Sequence, residues 1–339
     1  IDGAKFKAVN ARDRNFTRAK MKRRLEQIEE SVTRYLHQLD SADRQEASLA
    51  RESKIERLTD KIAKLKQEMR RLKALETQML ASPDQQISLS DPDARSMATS
   101  GRGSGIVGYN VQIAVDTKHH LIPTHEVVNE GTDRSQLSPM SKKTKEALGT
   151  DTLDVVADRG YFDGDEILAC DRAGITVTLP KPQTSGVKAK GRYGKQDFRY
   201  VAGDDVYICP NGEALTYHFT NQEKGRALRH YWTNACQGCA IKHLCTTGKQ
   251  RRIRRWEHEP VLEAVERRLD NNPDKMRTRR QTAEHPFGTI KAWMGYTHFQ
   301  MKTLKNVRTE MALHVLAYNI KRVMAIMGTG PLIAAIKAA

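Results

Sequence analysis

Residues 17–80 constrain the fold more than any other stretch of the chain. They contain no Gly and no Pro, and they are densely charged. Met21, Leu25, Ile28, Val32, Tyr35 and Leu39 recur at alternating spacings of four and three. Ile55, Leu58, Ile62, Leu65, Met69 and Leu72 do the same. Such spacing lays apolar side chains along one stripe of a helix. The polar residues 40–53 between the two series can hold a turn. The pattern fits an antiparallel coiled-coil hairpin over 17–82, or two amphipathic helices packed on a globular core. Ser82-Pro83-Asp84 ends the unit.

The rest of the chain alternates strand and helix signals. Ile1 to Val9 reads as a short strand containing Asp2. Thr99 to Gly105 reads as a flexible loop. Tyr109, Val111, Ile113 and Val115 alternate with Asn110, Gln112, Ala114 and Asp116, which reads as a strand, with Leu121 to Val128 as its hairpin partner. A helix is expected over Asp133 to Leu148. Leu153 to Asp158 is an apolar strand ending in an acid. Asp163 to Ala173 reads as a helix and Ile175 to Leu179 as the next strand, stopped by Pro180 and Pro182. Strand, helix, strand at that spacing suggests a parallel unit. Residues 183–250 are rich in turn formers and carry four cysteines. Helices are expected over 259–270, over 274–294 with a distortion at Pro286, and over 304–327.

The 339 residues carry a formal charge of +16, which favours a polyanionic partner, nucleic acid first. Residues 249–308 hold 15 Lys/Arg and 7 Asp/Glu, a net of +8. Arg251, Arg252, Arg254 and Arg255 lie there, then Arg277, Arg279 and Arg280. A run of this kind suits phosphate contacts, although a solvated helix face gives the same pattern. Trp232 and Trp256 suit core packing better than base stacking. No stretch approaches the roughly 20 apolar residues of a membrane helix, and no secretory leader is visible. A bacterial cytoplasmic, nucleoid-associated location is expected. The chain starts at Ile1, which fits a fragment lacking an upstream part.

Three carboxylates stand at positions suited to metal-assisted phosphoryl transfer. Asp2 is on the first strand, Asp158 ends a later one, and Glu284 is on a late helix. Hard oxygen ligands suit Mg²⁺ or Mn²⁺. Two such ions roughly 4 Å apart would relieve the repulsion among the acids and serve an in-line displacement. Asp158 also fits a helix-capping role. Arg280 is four residues before Glu284 and Lys291 seven after it, one face if the helix continues. An ordinary salt-bridged helix face has the same spacing.

Cys236 and Cys239 form a C-x2-C knuckle, with Cys245 and Cys209 nearby in sequence. Four thiolates in a Gly-rich region with little apolar core suggest structural Zn²⁺, with His243 as a spare ligand. A redox pair, an unoccupied relic and an iron–sulfur cluster are the alternatives. Cys170, on a helix, reads as a small buried residue.

Four stretches carry a resemblance. They are Ile1-Asp2-Gly3-Ala4-Lys5; Gly108-Tyr109-Asn110-Val111-Gln112; Ala157-Asp158-Arg159-Gly160-Tyr161; and Arg280 to Gly288 with Lys291 beyond. In that order they span nearly the whole chain. The sequence resembles DDE-class insertion-sequence transposases with an RNase H-like catalytic domain, and most of all the insertion-sequence family numbered 1182. The related signature is Tyr, two residues, Arg, three residues, Glu, six residues, Lys. Arg280, Glu284 and Lys291 fit it, whereas Arg277 stands at the Tyr position. The resemblance implies that Asp2, Asp158 and Glu284 bind the catalytic metals. It implies that Arg280 and Lys291 contact DNA near the cut, and Arg277 and Arg159 join them as DNA-contact candidates. A four-cysteine insert also looks like this transposase branch.

The expected fold is α/β: an RNase H-like mixed sheet flanked by helices. Residues 1–16, 83–180 and 251–327 would form one discontinuous catalytic domain. It would be interrupted by the helical hairpin 17–82 and the cysteine-rich, zinc-binding insertion 181–250, with 328–339 as a tail. The expected function is cleavage at transposon ends followed by strand transfer into target DNA. The partners would be double-stranded terminal inverted repeats and target DNA, and joining two ends implies at least a homodimer. An inactive DNA-binding remnant, missing an upstream DNA-binding region, is one alternative. A zinc-stabilised coiled-coil scaffold without catalysis is the other; it predicts oligomerisation through 17–80 and indifference to mutation of the three acids.

Overall fold

A computed structural model describes the chain except residues 10–13, 45–47, 83, 99–104, 183–185, 187 and 339. The loop expected at 99–105, the middle of the 40–53 turn and Pro83 thus lie outside the described residues, apart from Gly105. The strands are β1 (Asp2–Lys7), β2 (Asn15–Thr17), β3 (Gln86–Ser88), β4 (Arg95–Met97), β5 (Ile106–Ala114), β6 (Thr124–Val128), β7 (Leu153–Val156), β8 (Ile175–Thr178), β9 (Arg199–Val201), β10 (Val206–Ile208), β11 (Ala214–Glu223), β12 (Arg226–Trp232) and β13 (Ile253–Trp256). The helices are α1 (Arg18–Asp43), α2 (Leu49–Ala81), α3 (Leu137–Leu148), α4 (Gly164–Arg172), α5 (Lys242–Cys245), α6 (Glu259–Asn271), α7 (Asp274–Gly288), α8 (Leu304–Met327) and α9 (Thr329–Ala338). The class is α/β, with an antiparallel sheet and flanking helices. The chain divides into two compact units, Asp2–Asp133 with Thr282–Ala339, and Ile1 with Arg134–Gln281.

In the unit that contains Asp2, β5 is the spine of an antiparallel sheet. It pairs with β1 from Gly108 to Ile113, and with β4 and β6 on its other side. Gly108 is required by close approach: a Cβ there would sit 1.9 Å from the Phe6 carbonyl oxygen. The alternation along β5 is the expected one, but Asn110 and Gln112, on its polar face, are fully buried. On the opposite face Phe6, Tyr109, Val111 and Ile113 form a core with Phe299 and the inward stripe of α8, namely Val307, Met311, Val315 and Tyr318. Asp91 and Asp93 anchor the start of α8, accepting hydrogen bonds from the Thr303 and Leu304 amides at 3.0 and 2.7 Å. The Tyr109 hydroxyl donates to the buried Asp91 carboxylate at 2.8 Å.

Residues of the two expected seams, joined by Met79 and Phe16 from outside them, form a separate core in the same unit. Met21, Ile28 and Val32 of α1 pack with Ile62, Leu72 and Met79 of α2, closed by Phe16 of β2. Arg51 near the start of α2 hydrogen-bonds the Ala42 carbonyl at the end of α1, so α2 runs back along α1.

In the other unit, β7 and β8 pair in parallel from Leu153↔Ile175 to Val156↔Thr178, with α4 between them in sequence. This is the expected strand–helix–strand unit. The Ile1 backbone nitrogen donates to the Val156 carbonyl at 2.8 Å. Residues 199–256 form a second antiparallel sheet, in the order β13-β12-β11-β10-β9. Little apolar core is expected here from the sequence. Instead Phe198, Tyr207, Leu215, Tyr231, Cys245 and Ile253 bury one another. Each strand supplies at most one of these residues, so none reads as a hydrophobic run by itself.

Candidate active site and metal centre

Asp2 lies at the start of β1 and is buried, 8 % exposed, with the Gly3 amide donating to its Oδ1 at 3.0 Å. It shares a strand face with Phe6, two pleats further on. Phe287 of α7 packs on that ring, 6.1 Å between centroids. Glu284 stands one helical turn before Phe287, on the exposed side of α7.

Lys291 follows on a different kind of turn. The α-helical bonding stops at Gly288, and Thr289–Trp293 forms a wider π-helical turn. A regular helix would carry Lys291 two turns beyond Glu284. Pro286, inside α7, has no amide hydrogen for the helical ladder, and the widened turn resets the register after it. The Lys291 Nζ lies 4.4 Å from the centre of the Phe6 ring and donates to the Lys5 carbonyl at 3.2 Å. Burial pulls its pKa below the ordinary lysine value, and the Asp2 charge opposes that shift. Lys291 is therefore a cation held over β1 by packing, within electrostatic reach of the first acid.

Asp158 is in the other unit, two residues beyond Val156 at the end of β7. It caps the turn Arg159–Tyr161, with its Oδ1 accepting the Gly160 amide at 2.7 Å. The capping role is thus real, and it uses one oxygen. The other lies 3.7 Å from the Arg279 guanidinium, and the side chain is 42 % exposed. Arg279 is an acid-facing cation that sequence reasoning missed, because the motif spacing pointed to Arg280 next to it. Arg159, Arg277 and Arg280 are exposed. Asp2 and Glu284 thus share one unit and Asp158 belongs to the other.

The basic run is less uniform than its sequence suggests. Arg255 is buried on β13, paired with Glu263, hydrogen-bonded to the Tyr207 hydroxyl at 3.2 Å and stacked over Tyr200 at 3.7 Å. Arg254 pairs with Glu223 at 2.7 Å. Strand alternation sends neighbouring arginines to opposite faces, so a run in sequence is not a patch in space. Trp256 is buried, and Trp232 is stacked on His218 at 3.4 Å.

A second polar constellation was also missed. The Asp133 Oδ1 accepts from Asn110 Nδ2 at 2.7 Å and from Gln112 Nε2 at 2.8 Å, and the Lys5 ammonium lies 3.3 Å from its Oδ2. These residues explain the buried polar face of β5, since each amide finds a charged acceptor.

Cys209, Cys236, Cys239 and Cys245 line one cavity beside Leu215 and Ile241, with a volume of about 20 Å³. That is room for one water-sized particle. Burial first, then the neighbouring Cys209, Cys236 and Cys239, raises the pKa of the Cys245 thiol. His243 is exposed and is not among the lining residues. Cys170 is buried in α4, where burial pushes its thiol up to about 11. Among the described residues, no three or more His, Cys, Asp or Glu side chains are arranged as a metal-binding cluster.

Residues 208–324 match the sequence model of a family described as Transposase DDE domain. The chain carries a DDE-type transposase domain. The matched segment runs from the end of β10 into α8, and takes in the four clustered cysteines, Glu284 and Lys291. Asp2 and Asp158 precede it. No curated protein and no solved structure matches the chain. No helix among the described residues is long and apolar enough to cross a membrane.

Proposed function

We propose that this transposase-domain protein cuts DNA at transposon ends and joins the cut ends to target DNA. The observation that carries the reading is the family match over residues 208–324, which encloses the Arg280, Glu284 and Lys291 spacing. In this reading Asp2, Asp158 and Glu284 are the metal-binding acids of an RNase H-like catalytic domain. That domain comprises 1–16, 83–180 and 251–327, with the coiled-coil hairpin 17–82 and the cysteine-rich segment 181–250 as insertions. Placement in the branch numbered 1182 belongs to the same proposal.

The donor chemistry fits Mg²⁺ or Mn²⁺, because all three side chains offer carboxylate oxygens and Asp158 keeps an oxygen beyond its cap bond. When bound, two such ions supply a stronger oxygen nucleophile and stabilise the leaving oxygen. The chain's own cations then hold the phosphates. Arg280, Arg277 and Arg159 are exposed and available to grip the backbone on either side of the cut. Lys291 presents a fixed charge beside β1, its ammonium oriented by the Lys5 carbonyl and the Phe6 ring. The partners are double-stranded inverted repeats and target DNA, with a homodimer joining two ends. The four cysteines are zinc donors by type and line one cavity, and zinc there would require them to draw closer together than they stand.

The test is cleavage of inverted-repeat DNA by Asp158→Asn. Cleavage in Mg²⁺ should be lost while DNA affinity stays within twofold of wild type, and EDTA should do the same to the unaltered protein. Full cleavage by Asp158→Asn sinks the assignment.

A further inference from the structure

The ribbon formed by β11, β12 and β13 has an open face that the proposed chemistry does not use. β10 pairs with β11 only at Ala214 and Leu215. From Thr216 to Glu223 every residue of β11 is exposed. Tyr217 and Tyr231 lie on the side that meets the tyrosine core. The opposite side carries Phe219, His230, Trp232, Arg252 and Arg254, as the pairings Phe219↔His230 and His230↔Arg254 dictate. A register shift between Tyr217 and Phe219 swings His218 onto that side, flat against Trp232 at 3.4 Å and 4°. Arg252 sits 4.9 Å from the same indole.

Phe219 is stacked on His230 at 4.5 Å and 11° and is 43 % exposed, so its ring lies flat on one neighbour and keeps open surface. Burial and the Arg254 charge push the His230 pKa below its ordinary value, so the ring that backs Phe219 is neutral near pH 7. A groove of about 830 Å³ beside this face is lined by six Lys/Arg and three Asp/Glu, Arg252 and Arg254 among them. The Arg254 pair with Glu223 is exposed on both sides, and such pairs exchange a carboxylate for a phosphate at little cost.

We propose that this face binds unpaired DNA, with Phe219 as the platform for a base and Arg252 and Arg254 as phosphate contacts. A backed, exposed aromatic ring next to a cationic groove is the arrangement that holds single strands. Bases in an intact duplex stay stacked on one another and cannot lay a face on the ring. The identity of the ligand as DNA rests on the function proposed above.

The experiment is fluorescence anisotropy of the full chain with a labelled single strand of mixed sequence, and with the blunt duplex of the same sequence. EDTA is present, so that no step depends on Asp2, Asp158 or Glu284. Phe219→Ala and Phe219→Leu should each weaken single-strand binding about tenfold, with less than twofold change on duplex. The double variant R252A/R254A should reduce the slope of log affinity on log salt by about 1.4, roughly 0.7 for each lost phosphate contact on a single strand. Circular dichroism identical to wild type shows that the variants fold. Unchanged single-strand binding, equal loss on duplex, or wild-type binding by Phe219→Leu overturns the proposal. Ribbon-dependent binding without cleavage would instead count against the proposed catalytic function alone.

Discussion

At the scale of single residues, the acids separate by what already occupies them. Asp91 is fully buried and accepts from Tyr109 and the Thr303 amide, and Asp93 accepts from the Leu304 amide. Both are committed to seating α8. Tyr109→Phe should therefore destabilise the protein by about 2 kcal/mol in urea unfolding, because a buried carboxylate loses one donor. Glu259 gives a prediction in pH. Burial would raise its pKa, but the Lys195 charge at 2.6 Å and the Trp256 amide outweigh that and hold it below the ordinary 4.5. A carboxyl with a depressed folded pKa stabilises fully above its unfolded value and loses that contribution as pH falls through the folded one. Below about pH 4.5 wild-type stability should fall more steeply than that of Glu259→Gln, which should already be weaker at pH 7. Parallel acid limbs in the two unfolding profiles would show that the pair adds nothing.

At the scale of elements, residues 17–80 were the most legible. Their periodicity picked out Met21, Ile28, Val32, Leu58, Ile62 and Leu72, which are buried, but not Met79, which is buried beyond the second seam. Their core is distinct from the one around Phe6. Leu72→Ala should cost about 3 kcal/mol and raise amide exchange in α1 and α2, while the amides of β5 keep their protection. The cysteine segment was less legible: the knuckle was visible, the sheet around it was not. Its aromatic core assembles from residues far apart in sequence, such as Phe198 with Ile253. One Zn²⁺ per chain is expected by elemental analysis, falling below a tenth of that in Cys236→Ser. Metal-free wild-type protein, with the cysteines reduced, would remove the zinc proposal.

At the scale of the whole molecule, the +16 charge makes the proposed binding to DNA testable through salt. Affinity for inverted-repeat duplex should fall with a slope of log K on log salt of about −5 or steeper, which a titration from low to physiological salt measures. A slope near zero would mean that the excess is general surface charge.

The sequence by itself determined the helical seams, the strand–helix–strand unit and the acid that follows its first strand. Each of these depends on residues within one or two turns of one another. It also determined the motif spacing around Glu284, which the family match encloses. Only the tertiary structure decided that Arg255 is buried while Arg254 is exposed, that Asn110 and Gln112 face Asp133, and that Lys291 leaves its helix register to sit over Phe6. Those outcomes depend on which strand or helix comes to lie opposite. Packing partners more than a hundred residues away, such as Lys5 for Asp133 and Phe6 for Lys291, leave no local pattern in the chain.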